Sequence, residues 1–273
     1  MVDSRAPSSP RPLALVTGAS AGIGAQFCRS LARRGFDLVL TARRVDRLDA
    51  LGSELSAAHG IAAQSVPMDL SQPDADRALL SSLNGRSVAL LVNNAGYSIP
   101  QSFASVPWED QRAFLMTLVL NACGLAHGVI PGMVARRSGG IINVASVAGF
   151  APGVAGHTLY PGAKSLMIKF SEALDAEYRG QGIRVTALCP GFVRTEFAEA
   201  NGTLDQMRHI PSFVAQSAER VVEDGLRANE RGKVVVTPGW AATLGAAALS
   251  YLPHGLVRAM VMRGAARYHR NTD

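Results

Sequence analysis

The stretch LYPGAKS, residues 159–165, sets a tyrosine and a lysine four positions apart, with a proline directly after the tyrosine. At that spacing Tyr160 and Lys164 share one face of a helix, so the ammonium can stand beside the phenol. A free tyrosine titrates near pH ~10, too high for easy proton exchange at neutral pH. A fixed positive charge close by stabilises the phenolate and lowers that pKa. A proton donor works best with a pKa near the working pH, and then contributes about 10²–10⁴-fold. The pair reads as a general acid and the group that tunes it. Pro161 suits the first turn of a helix, where its missing N–H leaves nothing unpaired, so the helix is expected to begin at the tyrosine.

The elements that must hold this pair follow from the apolar pattern. Short apolar runs at 12–18, 36–42, 62–70, 88–96, 139–146, 183–191 and 233–239 read as seven strands. Between them lie helical patterns: one closing at Gly35, one over 46–60, and others around 108–137, 160–181 and 215–231. Strands apolar on both faces and separated by helices argue for a parallel sheet covered on both sides. The 273 residues, 48% of them hydrophobic, suit one large α/β core. No linker or repeat interrupts the pattern. The expectation is one doubly wound domain over 12–239, preceded by a disordered Pro/Ser-rich tail at 1–11 and followed by an extension at 240–273.

Composition narrows the partners. The formal charge is +6 and the pI about 9.6, but the basic residues are scattered and aromatics make up only 6%. That argues against nucleic acid and for phosphorylated cofactors or anionic lipid. Cys28, Cys123 and Cys189 lie in apolar surroundings without CxxC pairing, as reduced thiols of a cytoplasmic protein do. The opening residues carry no signal-type apolar stretch. The six histidines show no ligand spacing, so no metal site is expected.

TGASAGIG, residues 17–24, follows the first strand and opens the first helix. Gly18, Gly22 and Gly24 there permit a tight turn, close approach of backbone N–H groups to phosphate, and tight helix–sheet packing. This is the setting of a dinucleotide site. Selectivity for NAD needs an acidic residue at the end of the second strand, about twenty residues on. TARRVDR stands there instead, with Ala42 at that point and Arg43 and Arg44 after it. An arginine fork complements a 2′-phosphate, which favours NADP(H). Asp69, closing the third strand, is placed to accept from the adenine amino group. NNAG, 93–96, ends the fourth strand in a turn that lets backbone lie along the ribose.

With these motifs the chain resembles the short-chain dehydrogenase/reductase family from about residue 12 to 239. The match runs through TGASAGIG, NNAG, Asn121 in VLNACG, Ser146 after IINVA, Tyr160-x-x-x-Lys164, and CPG followed by Thr195. The resemblance implies a Rossmann-like fold, hydride transfer between NADP(H) and a carbonyl or alcohol, and homodimers or homotetramers built by the helices carrying Asn121 and Tyr160. It implies a catalytic set of Asn121, Ser146, Tyr160 and Lys164. Ser146 would hold the reacting oxygen, Asn121 a relay water, and Lys164 the ribose hydroxyls. The cofactor would be lined by Gly18, Ser20, Gly22, Ile23, Gly24, Arg43, Arg44, Asp69, Leu70, Asn93, Ala95, Gly96, Tyr160, Lys164, Pro190, Gly191, Val193 and Thr195. One departure stands out: Ser146 and Tyr160 are fourteen apart, where the family more usually has thirteen. The extra residue is expected to bulge within 152–159 and leave both ends in register.

Substrate walls are expected from Ser146, His157 and a lid at about 192–216, with Phe197 and Met207 as contacts. The extension, without an acidic residue over 240–270 and basic towards its end, is broken by Pro253 and Gly255. Two short helices fit better than one membrane span. They could lie on an anionic membrane surface at the inner face, border a lipid channel, or pack on the fold or a second subunit. An apolar lid and tail point to a hydrophobic ketone, a 3-oxoacyl or lipid-like one, and the layout is similar to the actinobacterial oxo-lipid (mycolate-type) reductases of the family. The competing readings are an alcohol or hydroxysteroid dehydrogenase, a small-ketone reductase, and a non-catalytic NADP-binding protein.

Overall fold

Seven parallel strands form the sheet in the order β3–β2–β1–β4–β5–β6–β9. They are β1 Leu13–Thr17, β2 Asp37–Ala42, β3 Ala63–Pro67, β4 Val88–Asn93, β5 Gly139–Val144, β6 Ile183–Leu188 and β9 Val235–Val236. A separate short parallel pair joins β7 Val193–Arg194 to β8 Gln216–Ser217. The computed structural model describes residues 11–153, 155–195 and 215–269. The expected tail, save Arg11, and the middle of the expected lid lie outside them.

The sheet is single-layered and apolar on both faces because successive side chains alternate. Ala14 and Val16 face one side, where Phe27, Leu31, Leu48 and Val221 cover them. Leu13 and Leu15 face the other, under Leu79, Leu125, Met133 and Leu174. The covering helices on the first side are α1 Gly22–Arg33, α2 Val45–His59 and α7 Ala218–Glu230. On the second side lie α3 Ala75–Ser81, α4 Trp108–Leu115, α5 Asn121–Ala135 and α6 Tyr160–Tyr178. The doubly wound arrangement read from the sequence is the one the structure has.

Helix ends follow local chemistry. Gly60 closes α2 in the left-handed region at φ 62°, its N–H donating to the Ser56 carbonyl at 2.9 Å. Ser217 opens α7 with its hydroxyl accepting from the Arg220 N–H at 3.2 Å. α4 and α5 run on through a widened turn at Met116–Leu120, giving one helical stretch from Trp108 to Ala135. That stretch is long and apolar enough to cross a bilayer, yet more than half of its most apolar window is buried inside the fold. α3 is the element the sequence pattern does not reveal: it is seven residues long, too short to display a helical period. The third strand also ends at Pro67, short of the expected residue 70.

A buried polar chain sets α6 on the sheet. The Asn93 amide donates to Asn143 Oδ1 at 2.9 Å, the Asn143 amide to Ser171 Oγ at 2.8 Å, and the Ser171 hydroxyl to the Met167 carbonyl at 2.7 Å. Asn143 and Ser171 are fully buried, so every link broken leaves an unpaired group in a dry place. The extension forms two helices, α8 Trp240–Tyr251 and α9 His254–His269, parted at Leu252–Pro253 as expected. Asn143→Ala is expected to cost about 2–3 kcal/mol and lower the Tm by roughly 4–10 °C. Thermal unfolding followed by circular dichroism measures it, and an unchanged Tm refutes the network's role.

Candidate active site

The strand order reverses between β1 and β4, and ligands of such sheets bind outside the carboxyl ends of the strands at that point. Gly18 and Gly22 sit there with φ of 66° and 54°, values a side chain resists. Gly24 has no such torsion but no room either: a Cβ on it would lie 2.1 Å from the Gly18 carbonyl oxygen. α1 begins at Gly22 behind Ala21, with no side-chain cap and no acidic residue in its first turn. The first-turn N–H groups are thus left for an anion, and a pyrophosphate fits this cradle. Over it sits Thr195, whose Cβ is the nearest atom to the space a Gly22 side chain would fill, at 3.2 Å.

Thr17 and Asn94, neither of them singled out from the sequence, fasten the turn. The Thr17 hydroxyl accepts from the N–H groups of Asn94 and Ala95 at 2.9 and 3.0 Å. The Asn94 amide returns to the carbonyls of Thr17 and Gly18 at 2.9 and 3.3 Å. Two neighbouring motifs, TG and NNAG, carried this signal only as a pair. Arg44 donates to the Ser20 hydroxyl at 3.3 and 3.1 Å from Nε and Nη2, which brings one arginine of the expected fork to the rim of the glycine turn. Burial disfavours the Asp69 carboxylate, but the Ser71 N–H and hydroxyl, then Arg43 and Gln72, outweigh it and hold its pKa below the usual value.

The side chains expected to be catalytic converge from the end of β5 and from α6. Tyr160 opens α6, its N–H donating to the His157 carbonyl at 3.2 Å, and Pro161 occupies the first turn. The Ser146 hydroxyl accepts from the Ala148 N–H at 3.1 Å and hydrogen-bonds the phenol. The longer spacing between Ser146 and Tyr160 therefore leaves both ends in register. Lys164, 6% exposed, donates from Nζ to the Val144 carbonyl at 2.8 Å and lies 5.7 Å from the centre of the Tyr160 ring.

One expectation needs correction. Burial raises the Tyr160 pKa above its ordinary value, with the Ser146 hydrogen bond acting the other way; the lysine does not bring it down here. The group that moves down is Lys164, to about 8, because burial disfavours its ammonium more than nearby Cys189 favours it. The Asn121 side chain is held firmly. Its buried amide donates to the carbonyls of Leu70 and Gln72 at 2.8 and 3.0 Å, and its oxygen accepts from the Asp76 N–H at 3.2 Å. With those bonds made, the side chain anchors the segment between β3 and α3. Lys164 borders a cavity of about 10 Å³ together with Asn93, whose Oδ1 is buried without a hydrogen-bond partner among the described residues.

The remaining expected residues fall around this centre. Pro190 accepts at its carbonyl from the Val147 N–H at 3.1 Å, and Gly191 lies against Ala242 of α8. Val193 packs against the core cluster on the α1, α2 and α7 side of the sheet. Ile23 packs there too, Leu70 lends its carbonyl to Asn121, and Gly96 touches Leu118. His157 is partly buried just ahead of α6, while Phe197 and Met207 lie outside the described residues.

The family model for short chain dehydrogenase matches residues 12–205. The chain is 33% identical over 264 residues to a very-long-chain 3-oxoacyl-CoA reductase of Macaca fascicularis, covering 94% of this chain and 81% of that one. Among solved structures, a short-chain dehydrogenase from Sphingobium yanoikuyae in complex with NADPH has a TM-score of 0.78 and 33% identity, covering 86% of this chain and 92% of that one. A bulky-bulky ketone specific alcohol dehydrogenase from Comamonas testosteroni has a TM-score of 0.75 and 27% identity, covering 90% and 96%.

A reaction that uses the ammonium of Lys164 should follow its titration near pH 8. In the carbonyl-reducing direction, kcat/KM is expected to be level below pH 8 and to fall about tenfold per unit above it. Lys164→Arg, which cannot lose its charge in that range, should flatten the limb in whatever activity it retains. A wild-type profile level to pH 10 contradicts the assignment.

Proposed function

Because the chain belongs to the short-chain dehydrogenase/reductase family, we propose that it reduces the carbonyl of a hydrophobic ketone, a 3-oxoacyl thioester or a lipid-like equivalent, with NADPH. The family membership makes it an oxidoreductase acting on CH–OH and C=O groups, and its cofactor is NADP(H). The observation that carries the reading is the contact of the Tyr160 phenol with Ser146 above a buried Lys164, beside an uncapped glycine turn. The 3-oxoacyl substrate is supported by the similarity to a very-long-chain 3-oxoacyl-CoA reductase over nearly the whole chain.

The cofactor, when bound, supplies hydride to the carbonyl carbon. The protein supplies the rest. The uncapped start of α1 takes the pyrophosphate, and Arg43 and Arg44 take the 2′-phosphate. Ser146 donates to the substrate oxygen and holds it against Tyr160. Tyr160, whose raised pKa keeps its proton in place at neutral pH, gives that proton to the oxygen as charge develops. Lys164, charged below about pH 8, returns a proton to the phenolate left behind and is recharged through the cavity it shares with Asn93.

The extension supports a membrane-facing role. Trp240, Leu244 and Tyr251 on α8 are 62, 63 and 88% exposed, and α8 packs on the turn after Ser146. No acidic residue offsets Arg258, Arg263, Arg267 and Arg270 across 240–270. An apolar face with basic neighbours suits an anionic bilayer surface beside the site's mouth, at the cytoplasmic side. Leu120 and Leu166, exposed on the stretch joining α4 to α5 and on α6, suit a homodimer or homotetramer.

NADPH absorbance loss should rise with chain length along a series of 3-oxoacyl thioesters. Compact and steroid ketones serve as comparison. Tyr160→Phe should lose about 10²–10⁴-fold while binding NADPH nearly as before. Turnover of compact ketones alone removes the lipid reading. In vesicle co-sedimentation, the protein should pellet with anionic and not with zwitterionic vesicles. Trp240→Ser with Leu244→Ser should abolish that, and equal pelleting with both lipids refutes the surface.

A further inference from the structure

α8 is built into the site from one side. Ala242, in its first turn, meets Gly191, where a Cβ on the glycine would lie 3.2 Å from the Ala242 methyl. The helix packs on the turn Val147–Phe150, which follows Ser146 and packs in its turn on α6. Gly149 leaves no slack there, since a Cβ on it would sit 2.9 Å from the Lys164 carbonyl carbon. The chain entering α8 is held as well. The Gln216 amide donates to the Pro238 carbonyl, and the Thr243 hydroxyl donates to the Thr237 carbonyl at 2.8 Å. Gln216 belongs to β8, and its partner β7 leads directly to Thr195 over the glycine turn. The start of α8 thus touches the two segments, 147–150 and 190–195, that border Ser146 and the phosphate cradle.

The other side of α8 faces away. At about 100° per residue, Trp240, Leu244 and Tyr251 fall within roughly 40° of one another, and Ala242 and Ala246 lie nearly opposite. The first three are exposed and Ala246 is buried. An alanine face buries little apolar area, so a ligand can shift the seating of α8. A helix of 12 residues is marginal by itself in water, so the stripe stays one face only while α8 is seated.

We propose that docking of this stripe on an anionic bilayer and binding of NADPH at the glycine turn reinforce each other through α8. This rests on the bilayer reading of the extension, in which its basic end meets lipid phosphate. The bilayer prefers the seated helix, because only that state presents the whole stripe. NADPH prefers it too, because seating fixes Gly191 and the segment that runs on to Thr195 over the cradle. Coupling of this kind is reciprocal: the factor the bilayer adds to NADPH affinity, NADPH adds to bilayer affinity. Plain electrostatics has the opposite sign, since an anionic surface repels an anionic cofactor.

The test titrates the full chain with NADPH, followed by cofactor fluorescence, in the presence of phosphatidylcholine vesicles that contain or lack phosphatidylglycerol. The same vesicles are then used for co-sedimentation with and without NADPH. Phosphatidylglycerol should tighten NADPH binding about 5-fold or more, and NADPH should lower the lipid needed for half-pelleting by the same factor. Vesicles of phosphatidylcholine alone should do neither. Trp240→Ser with Leu244→Ser should lose the pelleting and the gain together. No pelleting with the anionic vesicles, or equal pelleting with both kinds, ends the bilayer reading and the coupling with it. Selective pelleting with NADPH affinity unchanged or weakened, or a gain that survives in the double variant, overturns the coupling and leaves the bilayer reading standing.

Discussion

The cleft depends on one small side chain. Thr17, 2% exposed, receives two N–H groups from the strand beyond it and donates to the Val92 carbonyl at 3.3 Å, while Asn94 reaches back to its carbonyl. These bonds close β1 onto β4 where the sheet changes direction, the one place where neighbouring strands send their chains away to opposite sides. A crevice there would otherwise be a gap of unpaired backbone groups. Stapled, it becomes a rigid rim on which a glycine turn can be stretched into torsions that side chains resist.

A second level of order lies one layer deeper. The amide chain from Asn93 through Asn143 to Ser171 fixes α6 against β4 and β5, and α6 carries both Tyr160 and Lys164. Lys164 then has little freedom. Its ammonium is buried, tied to the Val144 carbonyl, and brought near neutrality by the burial itself. The arrangement inverts the simplest electrostatic picture of the pair. The phenol holds its proton more tightly than a free tyrosine, and the lysine is the group poised to exchange one.

Much of this was legible in the sequence because it is local. Apolar runs gave the seven strands, a glycine spacing gave the phosphate cradle, and a four-residue interval gave the acid and its lysine. What escaped is what joins distant segments. Nothing near Thr17 shows that it will meet Asn94, and nothing near Asn121 shows that its amide will tie down the segment after β3. The direction of the Tyr160 shift escaped for the same reason, since burial is a property of the packed chain and not of the helix face. α3 was invisible on grounds of length.

The pairing of Val193–Arg194 with Gln216–Ser217 has a consequence for how such a protein can change over time. The two short strands hold together the ends of the connection between them, so the entropy of bringing those ends together is met by the clamp and not by the connecting sequence. Doubling a loop whose ends are fixed in this way costs only about 0.6 kcal/mol. Insertions, deletions and replacements in that connection are therefore cheap as long as Thr195, which directly follows the first strand and stands against Gly22, is kept. The clamp divides the chain into a connection whose length is free to drift and a framework whose length is not.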